Sequence, residues 1–382
     1  MKLSERASNL QPSATLAISG KAKALKKEGK DVIDFGAGQP DFEPPSFIKT
    51  AIKAAIDKPG IGKYTAVPGT PEAREAITKK LKSDYNLDYT SNEVMVTVGG
   101  KCGLFNIFQA LIDKDDEVII PSPYWVSYPE QVKFCNGTPV IVETDNNFKL
   151  QASSVEAAIT DKTKIIILNS PSNPTGAVSD EEELIKIANL AVEKDILIIS
   201  DEIYDKIIFD KKHLCIPAIS EAVKKQTIYC NALSKTYAVP GLRLGYIAAN
   251  ESLIKALTAI QGQSTSNPDA LMQEALIVAF SSPMDEVNAM VEEFKKRRDY
   301  IVQALNEIPG VECPSPDGAF YVFPKIPTDN SLQFATDLLE KKLVAVVPGA
   351  PFGRESHVRI SYAASLDNIK EGVKRIREFI EN

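Results

Sequence analysis

From about residue 70 to residue 280, short β-branched runs alternate with amphipathic stretches, and this alternation limits the fold more than any other feature. The runs are VMVTV (94–98), EVIIP (117–121), PVIVE (139–143), KIIILN (164–169), ILIISD (196–201), QTIYC (226–230) and LGYIAA (244–249). Between them lie segments such as LFNIFQALI, which sets Leu104, Ile107, Phe108 and Leu111 at helical spacing. Near-continuous apolar strands separated by helices require a mostly parallel sheet covered on both faces. The last two runs are joined by a short connection, so one strand is expected to run antiparallel.

After residue 285 the texture changes. A long charged helix, DEVNAMVEEFKKRRDYIVQAL, precedes GAFYVFPKI, a helix near 331–342, LVAVVPG, HVRISYA and a closing helix. Residues 46–285 are therefore expected to form a large α/β domain with a seven-stranded sheet. Residues 286–382 are expected to form a smaller α+β domain, joined by the amino-terminal segment 1–45. The length, 382 residues, suits two such units.

Several function classes are disfavoured. The net charge is −7 with no long basic run, which argues against a nucleic-acid surface. No apolar run is long enough for a bilayer, and MKLSERASNLQ has no apolar signal core, so a cytoplasmic protein is expected. Five scattered cysteines, never in a CxxC pair, read as reduced thiols. Two isolated histidines, His213 and His357, leave little material for a His-based triad or metal site.

In open α/β sheets ligands bind beyond the carboxyl ends of the strands, and the unusual residues collect there. Gly99-Gly100-Lys101 follows the first run and opens a helix, so bare amides and a cation make an anion site. The second run leads to SPYWVSY, with the only tryptophan, Trp125; the fourth leads to NSPSNPTG, with Asn169 and Asn173. Asp201 ends the fifth, Tyr204 follows it, Lys235 comes after the sixth, and Arg243 opens the seventh. Each has a plain structural reading, as a turn, a core aromatic or a solvated charge. A P-loop is excluded because no GxxxxGK[ST] occurs. Together, a lysine, an anion cradle, an aromatic plate and a carboxylate suit a phosphorylated, planar, cationic heterocycle. Lysine forms a Schiff base with an aldehyde, and a carboxylate keeps a pyridinium nitrogen protonated. Pyridoxal 5′-phosphate is the cofactor these residues call for, with Lys235 as its Schiff-base lysine and Arg243 on its phosphate.

Over essentially its full length the sequence resembles the fold-type I, class-I aminotransferases. The resemblance lies in GAGQPDF, KYTAVPGTPEAREAI, GGK, SPYWVSYPE, NSPSNPTGAV, SDEIY, SKTYAVPGLRLGY, GAFYVF and HVRISYA. It is nearest to bacterial aspartate aminotransferases whose amino-terminal segment reads PSAT, some of which also accept prephenate. The resemblance implies roles residue by residue. Lys235 would hold the cofactor, release it to the substrate amine and move the proton between Cα and C4′. Asp201 would pair with the ring nitrogen, Tyr204 and Asn173 with the phenolic oxygen, and Trp125 would stack on the ring. Gly100, Lys101 and Arg243 would hold the phosphate, with Tyr64 reaching it from the other subunit of a homodimer. Gly38 and Arg359 would hold the substrate α-carboxylate, Arg359 by a planar two-pronged pair. Ser13, Thr15 and Lys101 would contact the distal carboxylate of an acidic substrate, with Trp125 and Asn173 also lining the substrate site.

Three departures carry expectations. Gln11 stands where dual-function relatives have a basic residue linked to prephenate use, so prephenate turnover is not expected. Ala232 replaces a serine or glycine, removing one phosphate hydroxyl contact, and Leu242 replaces a common tryptophan. Two rival outcomes share the same residues: a β-lyase, and a non-catalytic regulatory module. The acidic-substrate set disfavours the first. The intact lysine, with an amino terminus that opens on the family's own segment, disfavours the second.

Overall fold

In a computed structural model of the chain, residues 3–10 and 14–382 are described. Twelve strands occur among them. They are β1 (Ile33–Asp34), β2 (Val94–Val98), β3 (Glu117–Ser122), β4 (Thr138–Glu143), β5 (Thr163–Asn169) and β6 (Leu197–Asp201). The rest are β7 (Thr227–Ala232), β8 (Leu244–Ala248), β9 (Tyr321–Val322), β10 (Val344–Ala345), β11 (Val347–Pro348) and β12 (Val358–Ser361).

Seven of these strands build the central sheet, in the order β2-β8-β7-β6-β5-β3-β4. The side-chain period of two separates its faces. Ile165, Ile167 and Ile199 join Leu104, Ile107 and Phe108 in one core, while Ile166, Leu168 and Ile198 join Leu184 and Ile187 in another. Burial on both faces is why these runs are apolar without alternation.

Strand β8 runs antiparallel to both β2 and β7, and the other pairings are parallel. Two reversals return β2 to the common direction. The carboxyl ends of β2, β3, β5, β6 and β7 therefore share one edge of the sheet, and β8 contributes its beginning to that edge. Antiparallel β8 thus brings Arg243 where a parallel strand would bring its last residue.

The helix Gly100–Leu111 starts directly above this edge. Gly99, at φ +78, is the turn that lets the chain leave β2 and enter the helix. Beneath it, a Cβ on Gly245 would lie 2.5 Å from the Gly100 nitrogen, so only glycine allows β8 to pass so close.

Beyond residue 285 a helix spans Asp285–Asn306, and a three-stranded antiparallel sheet has the order β11-β12-β9. Strand β1 pairs in parallel with β10, so the amino-terminal segment joins this part of the chain. Arg297 and Arg298 of the long helix are buried. Arg297 donates to Asp41 at 2.8 Å and Arg298 to Asp210 at 2.7 Å, which fastens the helix to the amino-terminal segment and to the loop after β6. Paired charges of this kind are costly to break from one side only.

Candidate active site

At the shared edge lies a cavity of about 280 Å³. Gly38, Gly100, Lys101, Trp125, Asn173, Asp201, Tyr204, Lys235, Arg243 and Arg359 all line it. Tyr64 does not; it is 91% exposed. Gln11, Ser13 and the side chain of Thr15 lie outside the described residues.

Lys235 sits on the short helix Leu233–Thr236 that follows β7 without a loop, and its Nζ donates to the Gly38 carbonyl. Burial, then the charges of Arg359 and Arg243, pull its pKa down to about 8, against the opposing pull of Asp201. Asp201 is the last residue of β6 and is buried. Burial raises its pKa to about 6, and the Tyr128 hydroxyl, donating to Oδ2 at 2.7 Å, restrains the rise.

Around this pair stand the aromatic and anion-binding groups. Trp125 packs edge-on against Tyr128 with centroids 5.3 Å apart, and the Lys101 ammonium lies 4.9 Å from the Trp125 ring centroid. Burial and the Arg243 charge lower the Lys101 pKa. Arg243 adopts the left-handed conformation at φ 54, and its Nη1 donates to the Pro240 carbonyl at 3.0 Å. Its guanidinium lies against Gly99, where a Cβ would come within 2.4 Å of Nη2. The bare helix start and the guanidinium thus form one cradle.

On the opposite wall, Arg359 projects from β12, the middle strand of its sheet. Its Nη1 donates to Asn173 Oδ1 at 3.1 Å and its Nη2 to the Gly36 carbonyl at 2.9 Å, while Nε is buried without a partner. Its guanidinium lies 4.7 Å from the Tyr321 ring centroid. The Tyr204 hydroxyl lies 3.1 Å from that of Tyr321. Asn169, at the end of β5, ties two loops together: its Nδ2 donates to the Asp201 carbonyl and its Oδ1 accepts from the Asn173 amide.

The electrostatics follow. Lys101, Lys235, Arg243 and Arg359 share the cavity with a single carboxylate, Asp201. Among the described residues none of the four forms an ion pair. Arg359 is buried and Lys235 half-buried, while Lys101 and Arg243 are exposed to solvent. A buried cation without an anion is unfavourable, and four cations converging on one carboxylate suit the receipt of negative charge.

Tyr128 and Tyr321 received no role from the sequence. Tyr128 could have been found from its three-residue spacing after Trp125, which places both on one side of a helical turn. Nothing local marks Tyr321, which lies within GAFYVF.

A lysine after one strand, a carboxylate ending its neighbour and a buried arginine on the opposite wall agree with the transaminase that the sequence resembles. The chain belongs to the aminotransferase class I and II family, whose sequence model matches residues 30–376. It is 45% identical to the aspartate aminotransferase of Bacillus subtilis, covering 100% of this chain and 99% of that protein. It is 44% identical to a probable aspartate/prephenate aminotransferase of Aquifex aeolicus, over 99% and 98% of the two chains. Among solved structures, Thermus thermophilus aspartate aminotransferase with maleate superposes with a TM-score of 0.94 at 39% identity, covering 99% of each chain.

Proposed function

We propose that the chain is a pyridoxal 5′-phosphate-dependent aspartate aminotransferase, converting L-aspartate and 2-oxoglutarate to oxaloacetate and L-glutamate. The observation that carries this reading is the set of four unpaired cations around one buried carboxylate. A phosphorylated pyridinium aldehyde together with an amino acid supplies what the set lacks. The phosphate is assigned to the Gly100 and Lys101 amides and Arg243, and the pyridinium nitrogen to Asp201. The substrate α-carboxylate is assigned to Arg359 and the Gly38 backbone. When bound, the cofactor contributes an electrophilic aldehyde and a ring that withdraws electrons from the substrate Cα.

The protein's own groups then have distinct tasks. Trp125, which lines the cavity, would hold the cofactor ring by stacking and help to exclude water. Asn173 commits its Oδ1 to Arg359, which leaves its amide hydrogens to donate toward the ring's phenolic oxygen beside the Tyr204 hydroxyl. With a pKa of about 8, Lys235 is partly a neutral amine close to physiological pH, able to take a proton from the substrate Cα and return it. Arg359 offers its guanidinium in a dry, low-dielectric wall, where a two-pronged pair discriminates strongly for a carboxylate.

An acidic substrate is supported by the Bacillus relative, by the maleate in the Thermus structure, and by the assignment of Ser13, Thr15 and Lys101 to the distal carboxylate. Gln11 offers an uncharged amide and disfavours prephenate, despite the Aquifex relative. A homodimer, with Tyr64 extending to the neighbouring phosphate, accounts for an aromatic left 91% exposed. A cytoplasmic setting agrees with five free cysteines.

The test is an absorption spectrum of the reconstituted protein before and after L-aspartate, with no 2-oxo acid present. The visible cofactor band is expected to move to the near-ultraviolet, and a Lys235→Ala variant is expected not to show that change catalytically. A cofactor band indifferent to aspartate would remove the substrate assignment. No band after reconstitution would remove the cofactor.

A further inference from the structure

Tyr321 is fully buried, and it touches three parts of the site that come from distant stretches of chain. Its hydroxyl lies 3.1 Å from the Tyr204 hydroxyl, which belongs to the segment after β6. Its ring carries the Arg359 guanidinium at 4.7 Å, from the neighbouring strand β12. A Cβ on Gly38 would come within 3.4 Å of the same hydroxyl, so the amino-terminal segment also closes on it. The two tyrosine rings meet edge to face, with centroids 5.9 Å apart.

We propose that Tyr321 is a positioning residue with two separable actions: its ring orients Arg359 for the substrate carboxylate, and its hydroxyl orients Tyr204 toward the cofactor. The inference rests on the cofactor assignment made above. If Tyr204 donates its proton to the ring's phenolic oxygen, it cannot also donate to Tyr321. Tyr321 must then donate to Tyr204. Burial holds both phenols above their ordinary pKa, so each keeps its single proton and the donors run in series, from Tyr321 to Tyr204 and from Tyr204 to the cofactor oxygen. A hydroxyl that accepts one hydrogen bond donates the next one more strongly. Tyr321 therefore strengthens the bond that stabilises the phenolate form of the cofactor, which keeps the proton affinity of the bound cofactor low. The ring acts independently, through the face it offers to a desolvated guanidinium.

Two substitutions separate these actions. Tyr321→Phe keeps the ring and removes the hydroxyl; Tyr321→Leu removes both. Each holoprotein is titrated spectrophotometrically across pH, and the dissociation constant for maleate is measured from the change in the cofactor spectrum. Tyr321→Phe is expected to raise the pH midpoint of the visible band by about half a unit, about a threefold change in proton affinity, while maleate affinity stays within about twofold. Tyr321→Leu is expected to raise the midpoint similarly and to weaken maleate about tenfold, the loss of one desolvated cation–ring contact. A wild-type midpoint in Tyr321→Phe overturns the hydroxyl's role, and unchanged maleate affinity in Tyr321→Leu overturns the ring's. If the leucine variant does not fold, the phenylalanine variant still decides, since a role in packing alone leaves its midpoint unmoved. Wild-type protein keeps the two readings apart: failure to form any cofactor band removes the cofactor assignment, whereas a normal wild-type titration with unresponsive Tyr321 variants removes this inference alone.

Discussion

Replacing Tyr128 by phenylalanine removes one oxygen and leaves the ring that packs against Trp125. That oxygen is the side-chain donor at 2.7 Å from Asp201 Oδ2. A hydrogen bond to a buried charge contributes about 1.5–3 kcal/mol, and one pKa unit corresponds to about 1.4 kcal/mol. The carboxyl pKa, about 6 in the parent protein, should therefore rise by roughly one to two units. The linkage sign follows from burial. An acid whose folded pKa exceeds its unfolded value binds more protons when folded, so its contribution is fully present below about pH 4. It is then lost as pH rises through the folded pKa. In the cofactor-free parent the loss ends near pH 6, the folded pKa of Asp201. In Tyr128→Phe it should continue for roughly one to two further units, which costs about 2 kcal/mol more at pH 8 and almost nothing extra at pH 4. Urea unfolding of both cofactor-free proteins at these two pH values reads the difference directly. Equal destabilisation at both pH values would show that the hydroxyl matters only for packing, and the reasoning would fail.

Two further outcomes follow from the geometry. Gly99→Ala meets both a backbone at φ +78 and the Arg243 guanidinium at 2.4 Å, so it should displace that side chain and weaken inorganic phosphate binding and cofactor retention about tenfold or more. Equilibrium dialysis checks this. The two histidines should titrate on opposite sides of the ordinary imidazole range. Burial disfavours the charged form of His213, but the Glu202 carboxylate at 2.7 Å outweighs it and raises the pKa, whereas burial with Arg354 and Lys325 nearby lowers His357 to about 4. Imidazole NMR resonances, assigned with a His357→Gln variant, would decide it, and two coincident midpoints would refute it.

The strand runs were legible because burial on both faces leaves a mark in every residue, and the site residues were legible because they stand just where those runs stop. Asp201 ends β6, Lys235 follows β7 and Arg243 precedes β8, so a one-dimensional boundary located a three-dimensional edge. The antiparallel strand could be inferred from the shortness of its connection. The hydroxyl contacts could not. Tyr128 and Asp201 are 73 residues apart, and Tyr204 and Tyr321 are 117 apart. Neither tyrosine carries a local sign of its partner. The long helix from Asp285 is a similar case, for in the sequence it shows only as a long charged helix. Arg297 and Arg298 are instead buried against Asp41 and Asp210, and those partners lie far along the chain.

The close passage of β8 beneath the helix start also indexes the sheet. Ala232 stands opposite Gly245, and Asn231 opposite Tyr246. Misregistration by one residue would bring Leu244 or Tyr246 under the Gly100 nitrogen, where even a methyl carbon has only 2.5 Å. It would also exchange the two buried faces of β8, sending side chains shaped for one core into the other. The chain can therefore thread this strand in one alignment alone, and that alignment is the one that delivers Arg243 to the cradle. A slipped sheet with a misplaced arginine is sterically barred, so at this end of the cavity the fold proofreads its own chemistry.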